Sequence, residues 1–215
     1  MIDVHPPTEP VHSWRDFLLH LLTITIGLLI ALSMEGCVEW RHHRQLVHEA
    51  TASLQGEIRT NSDKTEGARE DIQKEKEALK NDVAVMNRII ANPKTPNREE
   101  VMVSFRIRTF DDVSWRTAQS TGALGYMDYE QAHEYSNIYD DQYEIYLAEQ
   151  QAVRDTVIAV GPFLNLEKDA ANPTGEEAVR AKEHFEVLQG QLTYVESQIV
   201  TLEEEYKKYL AAHPK

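Results

Sequence analysis

Two pairs of residues carry a spacing that could hold a metal, Glu39-x-x-His42 and Glu130-x-x-His133. Residues three apart share a helix face, and Glu-x-x-His is how carboxylate-bridged di-iron bundles present part of their ligand set. Such a centre also needs carboxylates from two more helices, and about one match is expected by chance among nine His and 24 Glu in 215 residues. His42, His43 and His48 could bind a transition metal at the surface, but imidazoles beside an apolar segment fit better as headgroup neighbours. No His-Glu-x-x-His, cysteine pair, phosphate loop or nucleophile elbow is present. No catalytic residue, metal ligand or cofactor is therefore assigned, and the chain is not expected to be an enzyme.

Tyr126, Tyr129, Tyr135, Tyr139, Tyr143 and Tyr146 are the other unusual cluster. Rings on adjacent turns could line a ligand groove or a protein contact, or fill wide bundle layers with their hydroxyls reaching water. Arg106 and Arg108, close to Asp111 and Asp112, predict a local charge network, and Trp115 a core plug beneath the loop.

These residues depend on what positions them, and Phe17 to Val38 dominates that: FLLHLLTITIGLLIALSMEGCV is predominantly apolar and holds only two ionisable residues, His20 and Glu35. About twenty apolar residues cross a hydrocarbon core roughly 30 Å thick, so residues 13–40 are expected to form a single transmembrane helix. Trp14 and Trp40 flank it as interfacial anchors, and Ser13-x-x-Asp16 has the form of a capping box at its start. Residues 1–12, with three prolines, are expected to be a flexible tail. A cleaved signal fits less well, because the tail lacks a basic n-region and Met34-Glu35 precede Gly36-Cys37 where small or aliphatic residues belong. Arg41 and Arg44 after the segment outnumber Arg15 before it, but long domains translocate largely regardless of charge. Both sides stay open for the C-terminal domain, and the lone Cys37 does not choose a redox compartment.

Within the membrane segment Thr23, Gly27, Ala31 and Glu35 recur every fourth residue. Gly27-x-x-x-Ala31 is a small-xxx-small pair that allows close helix contact in lipid, and an ionisable residue there is expensive unless it is used or reaches an interface. This face predicts a second copy of the chain or a membrane-protein partner.

The rest of the chain carries most of the net charge of −14, without a basic stripe free of acids, so no nucleic-acid partner is expected. Proline and glycine clusters divide it into a first long helix over 41–91, a proline loop with an extended segment and a short helix over 92–127, a second long helix over 128–166, and a third over 167–215. The third is the clearest: Phe185, Leu188, Leu192, Val195, Ile199, Leu202, Tyr206 and Tyr209 continue Ala178 and Ala181 in a heptad seam, opened by a Thr174/Glu177 capping box. In the second, Tyr139, Tyr143, Tyr146, Gln150, Val153, Val157 and Val160 make a softer seam. The first has Val47, Ala50, Leu54, Ile58, Ala68, Ile72, Leu79, Val83, Met86 and Ile90 at its apolar positions, with a weak middle between Gly56 and Asp71 where a kink or looser contact is expected. Val101, Val103, Phe105 and Ile107 alternate as in an extended segment. The expected fold is all-α, an N-terminal transmembrane helix continuing into an elongated antiparallel bundle or coiled coil that runs up, down and up again.

Thr25-Ile26-Gly27-Leu28-Leu29-Ile30-Ala31-Leu32, with Glu35, Val38, Glu39, Trp40 and His42, resembles uncharacterised bacterial single-pass membrane proteins with an Ile-Gly-x-Leu-Ile-Ala-Leu span and an acidic, Trp-containing juxtamembrane helix. Trp115 to Leu124 is a weaker second block. The resemblance implies an anchor followed by a helical domain and brings no activity. The expectation is therefore a structural or interaction protein of the cell (inner) membrane, in contact with the bilayer and assembling through helix packing, in the manner of an accessory subunit. The alternative is a sensory or ligand-binding bundle that lacks its own output domain.

Overall fold

The computed structural model describes residues 13–94, 101, 108–161 and 174–214, and every regular element among them is helical. α1 (Trp14–Ala91) is one helix of 78 residues lying between Pro10 and Pro93. It stops one residue short of Asn92, because a residue that precedes proline is pushed out of the helical region. At its other end the Ser13 hydroxyl accepts from the Arg15 amide at 3.1 Å. The expected tail, residues 1–12, lies outside the described residues, as do 102–107 of the alternating segment.

Two compact units share the chain, Met1–Glu49 and Ala50–Lys215. In the first, α1 contributes a lone helix on which every residue from 13 to 42 is exposed. An 18-residue window with mean hydropathy 2.3 lies within it, long and apolar enough to cross a membrane. The hydroxyls of Thr23, Thr25 and Ser33 donate to carbonyls four residues back, at 2.9, 2.8 and 2.7 Å, so none is left unsatisfied on the apolar surface.

The second unit contains the rest of α1, then α2 (Val113–Ser120), a 3₁₀ turn (Ala123–Tyr126), α3 (Tyr129–Val160) and α4 (Gly175–Ala212). Gly122 turns the chain between α2 and the 3₁₀ turn at φ 74°, a left-handed conformation that glycine adopts without a Cβ clash. Asp128 caps α3 by accepting from the Glu130 amide, and α4 opens with the expected Thr174/Glu177 capping box.

Helix directions follow from the cross-pairings. Thr51 meets Gln131, Glu57 meets Tyr139 and Asn61 meets Gln142, so α3 runs parallel to α1. α4 runs antiparallel to both: Arg69 and Lys76 of α1 reach Glu203 and Glu196, while Tyr135 and Asp155 of α3 reach Tyr209 and Gln191. The up-down-up order is thereby corrected to up-up-down, with the end of α4 at the Ala50 end of the unit. The descending leg is the chain ahead of α2, where Arg108 pairs with Asp71, Asp111 with Lys64, and the Ser114 amide with Glu57. From 108 to 114 the chain passes fourteen residues of α1, because extended backbone rises about 3.3 Å per residue and helix about 1.5 Å. Over the described residues 108–114, part of the return along α1 is therefore made by a few extended residues rather than by a helix.

All eight predicted seam positions of α4 are buried, together with Ala178 and Ala181. α3 departs from expectation by one residue. It buries Ile138, Tyr139, Gln142, Ile145, Glu149, Ala152, Thr156 and Ala159, leaving Tyr143, Tyr146 and Val157 exposed and Gln150, Val153 and Val160 half-buried. The reason is volume: α4 presents Phe185, Leu188 and Leu192, and α3 meets large side chains with small ones, Ala152 and Ala159, so the two helices approach closely. The alternation on α1 also runs unbroken through Leu54, Ile58, Asn61, Thr65, Ala68, Ile72, Glu75, Leu79, Asp82, Met86 and Ile89. Val83 and Ile90 are half-buried beside it rather than in it. α1 stays a single helix through the weak middle, which is not empty: Asn61 and Thr65 are buried there, and Gly67 makes room for the Arg108 guanidinium, which would lie 2.7 Å from an added Cβ.

Candidate functional site

Asn61 organises the second unit's main concavity. Its carboxamide grips the backbone of Asp111 on both sides, with Nδ2 donating to the carbonyl at 2.7 Å and Oδ1 accepting from the amide at 2.8 Å. This fixes which end of the amide is the donor and leaves Nδ2 facing Gln142 Oε1 at 3.4 Å. Glu57, one turn earlier, accepts from the Tyr139 hydroxyl and from the Ser114 amide, both at 2.7 Å. It thereby caps α2, whose own N-cap residue Asp112 makes no side-chain cap. Two polar residues of α1 thus hold the 108–114 segment and α2 over the side of α3.

Between that segment and α3 lies a cleft of about 660 Å³. Phe110, Trp115, Tyr143 and Tyr146 supply aromatic surface, and Trp115 stacks on Tyr139 with centroids 5.0 Å apart and planes 3° apart. Trp115 is half-buried, a cleft wall rather than the expected core plug. Tyr139 is buried, and its phenol is pushed far above its ordinary range by burial, then by its hydrogen bond to Glu57. It is a structural donor, not an acid for chemistry near neutral pH.

Two further residues of α3 reach the cleft from the buried side. Gln142 is 5% exposed, and its Nε2 has no hydrogen-bond partner. Glu149 is also 5% exposed, with burial alone raising its carboxyl from 4.5 to about 7. Asp111, Asp112 and Asp140 join it, against one lining cation, Arg116. Asp111 and Asp112 are paired, with Lys64 at 2.7 Å and Arg116 at 3.0 Å.

The tyrosines separate by position. Tyr135 and Tyr139 are core, Tyr135 bonding to the Tyr209 hydroxyl at 2.7 Å, while Tyr126 and Tyr129 are exposed and Tyr143 and Tyr146 border the cleft. The expected network of Arg108 with Asp111 and Asp112 is replaced by a 2.6 Å pair across to Asp71, and Arg106 lies outside the described residues. The up-up-down order puts the turn bearing Glu130 and His133 beside Thr51, and His133 stacks on Tyr129. Among the described residues no three His, Cys, Asp or Glu side chains are grouped to share a metal ion.

On the first unit, Thr23, Gly27, Ala31 and Glu35 are all exposed, and an added Cβ at Gly27 would meet nothing within 4 Å. Trp14 and Trp40 are 73% and 60% exposed, Trp40 carrying Arg44 over its ring at 5.4 Å. Asn61, Gln142 and Glu149 were missed in the sequence, where the tyrosine and valine positions of α3 drew the seam instead. The signal was the spacing of Tyr139, Gln142, Tyr146 and Glu149, three and four residues apart on one side of α3.

The sequence matches no family model, and no curated protein or solved structure matches it.

Proposed function

We propose that this is a single-pass protein of the cell (inner) membrane that works by association rather than catalysis, in the manner of an accessory subunit. The observation that carries the reading is the first unit's helix, which is apolar, wholly exposed and marked by Gly27 and Ala31 where close contact is cheapest. No other described residue of that unit covers it, and lipid plus a helix partner, either a second copy or another membrane protein, would. Membranes should retain the protein through alkaline extraction, and the detergent-solubilised chain should run as an oligomer or with a co-purifying partner. Gly27→Leu combined with Glu35→Leu should abolish that association. A wild-type chain that is monomeric and partner-free from its native membrane would refute the reading.

The cleft favours a second reading, a small-ligand-binding bundle at the membrane. Its volume falls within the roughly 300–1,000 Å³ usual for ligand sites, and it combines aromatic walls with a buried amide donor, Gln142 Nε2, unsatisfied by the chain. A ligand that protects Trp115 from quenching and raises the melting temperature would support it.

A further inference from the structure

We infer that the cleft between Trp115 and Tyr146 binds a small organic cation, an aromatic or alicyclic amine or quaternary ammonium compound held on aromatic faces with its charge toward Glu149. The inference rests on the ligand-binding reading and adds the class of ligand. Charge comes first. The lining holds four carboxyl groups to one guanidinium, and that guanidinium is already engaged by Asp112. An anion would meet Glu149 and Asp140 with no free cation among the lining residues to receive it. A cation would find two carboxylates without partners among the described residues and ring faces whose quadrupole attracts it.

Glu149 separates a cation from a neutral ligand. Glu149 is 95% buried as a residue, and its carboxyl, with no hydrogen-bond or ion-pair partner among the described residues, is costly to ionise there and is replaced at no packing loss by Gln. It sits on the cleft side of α3, in phase with Tyr139, Gln142 and Tyr146. A bound ammonium would restore its charge and remove the burial penalty. Gln142 narrows the ligand further. Asn61 is fixed by the Asp111 backbone and occupies Gln142 Oε1, so Nε2 is a buried donor without an acceptor. An oxygen acceptor on the ligand, a phenol or carbonyl, would complete it.

The test uses the full chain in non-ionic detergent with Trp14→Phe and Trp40→Phe, which leaves Trp115 as the single tryptophan. Three probes of one shape are titrated against its fluorescence and the melting temperature: phenethyltrimethylammonium, its neutral tert-butyl isostere, and 3-phenylpropionate. The cation should bind about tenfold more tightly than the isostere, with the carboxylate weakest. Glu149→Gln should weaken the cation about tenfold and leave the isostere unchanged, while Trp115→Ala, read by melting temperature alone, should weaken both. Equal binding of cation and isostere, unmoved by Glu149→Gln, would overturn the cation and keep the ligand site. No response to any probe would overturn both. Circular dichroism of each variant confirms that it is helical, and Glu149→Asp, which keeps the charge, should retain most of the cation preference.

Discussion

α3 and α4 lie against each other and use opposite logic. α4 puts its apolar heptad positions inside, from Ala178 to Tyr209, with Glu205 half-buried at the edge of that seam. α3 turns by one residue, buries Gln142, Glu149 and Thr156 among alanines and isoleucines, and leaves Tyr143, Tyr146 and Val157 in the open. α4 is the more purely structural of the two, since all its buried residues are apolar or aromatic, whereas the buried face of α3 is polar where it borders the cleft.

The largest expected effect is on α4. Phe185→Ala removes a fully buried ring and should cost about 3–5 kcal/mol in urea unfolding of the detergent-solubilised chain. A loss below about 1 kcal/mol would break the assignment of α4 as the structural helix. Next is Asn61→Ala, which orphans the Asp111 amide and carbonyl and should cost about 2–3 kcal/mol, with faster hydrogen exchange at Asp111.

Glu149→Gln should move stability the other way. The folded carboxyl titrates near 7 against an ordinary 4.5, so between those values the folded state holds a proton that the unfolded state has lost. Its contribution is fully present below 4.5 and is lost as pH rises through about 7. Gln has nothing to lose, so the variant should be more stable by about 2 kcal/mol at pH 8 and equal near pH 4, with a shallower fall between. Glu205 keeps a residual slope of the same sign, raised to about 7 by burial and then by Asp141. A destabilised variant at pH 8 would mean that Glu149 is a structural group like those on α4. The smallest effect should be at Tyr143→Ser, within about 0.5 kcal/mol because the ring is exposed, and it sharpens the contrast if ligand binding falls while stability holds.

Legibility followed the same division. The α4 seam and its Thr174/Glu177 box were readable because apolar side chains at a 3.5 spacing leave one arrangement that buries them all. The α3 seam was misread by one position because Tyr143, Tyr146 and Val157 outscore Gln142, Glu149 and Thr156 on hydrophobicity. Periodicity in one helix cannot register that its neighbour brings Phe185 and Leu188 and needs alanines opposite. The cleft was only half legible: the tyrosines drew attention, but the polar groups beneath them did not. Asn61 and Glu57 read as the weak part of α1, although each secures the chain ahead of α2 by hydrogen bonds to residues some fifty positions away.

By itself the sequence determined the helical class, the long apolar stretch with Trp14 and Trp40 at its ends, and the α4 seam. These depend on local periodicity, on chain length against bilayer thickness and on capping chemistry, all contained within a few turns. Tertiary structure alone decided that α3 runs parallel to α1, that part of the return along α1 is extended rather than helical, and which side of α3 faces in. Those outcomes depend on side-chain volumes and hydrogen bonds between segments far apart in the chain, and it is there that Gln142 and Glu149 acquire their place beneath Trp115.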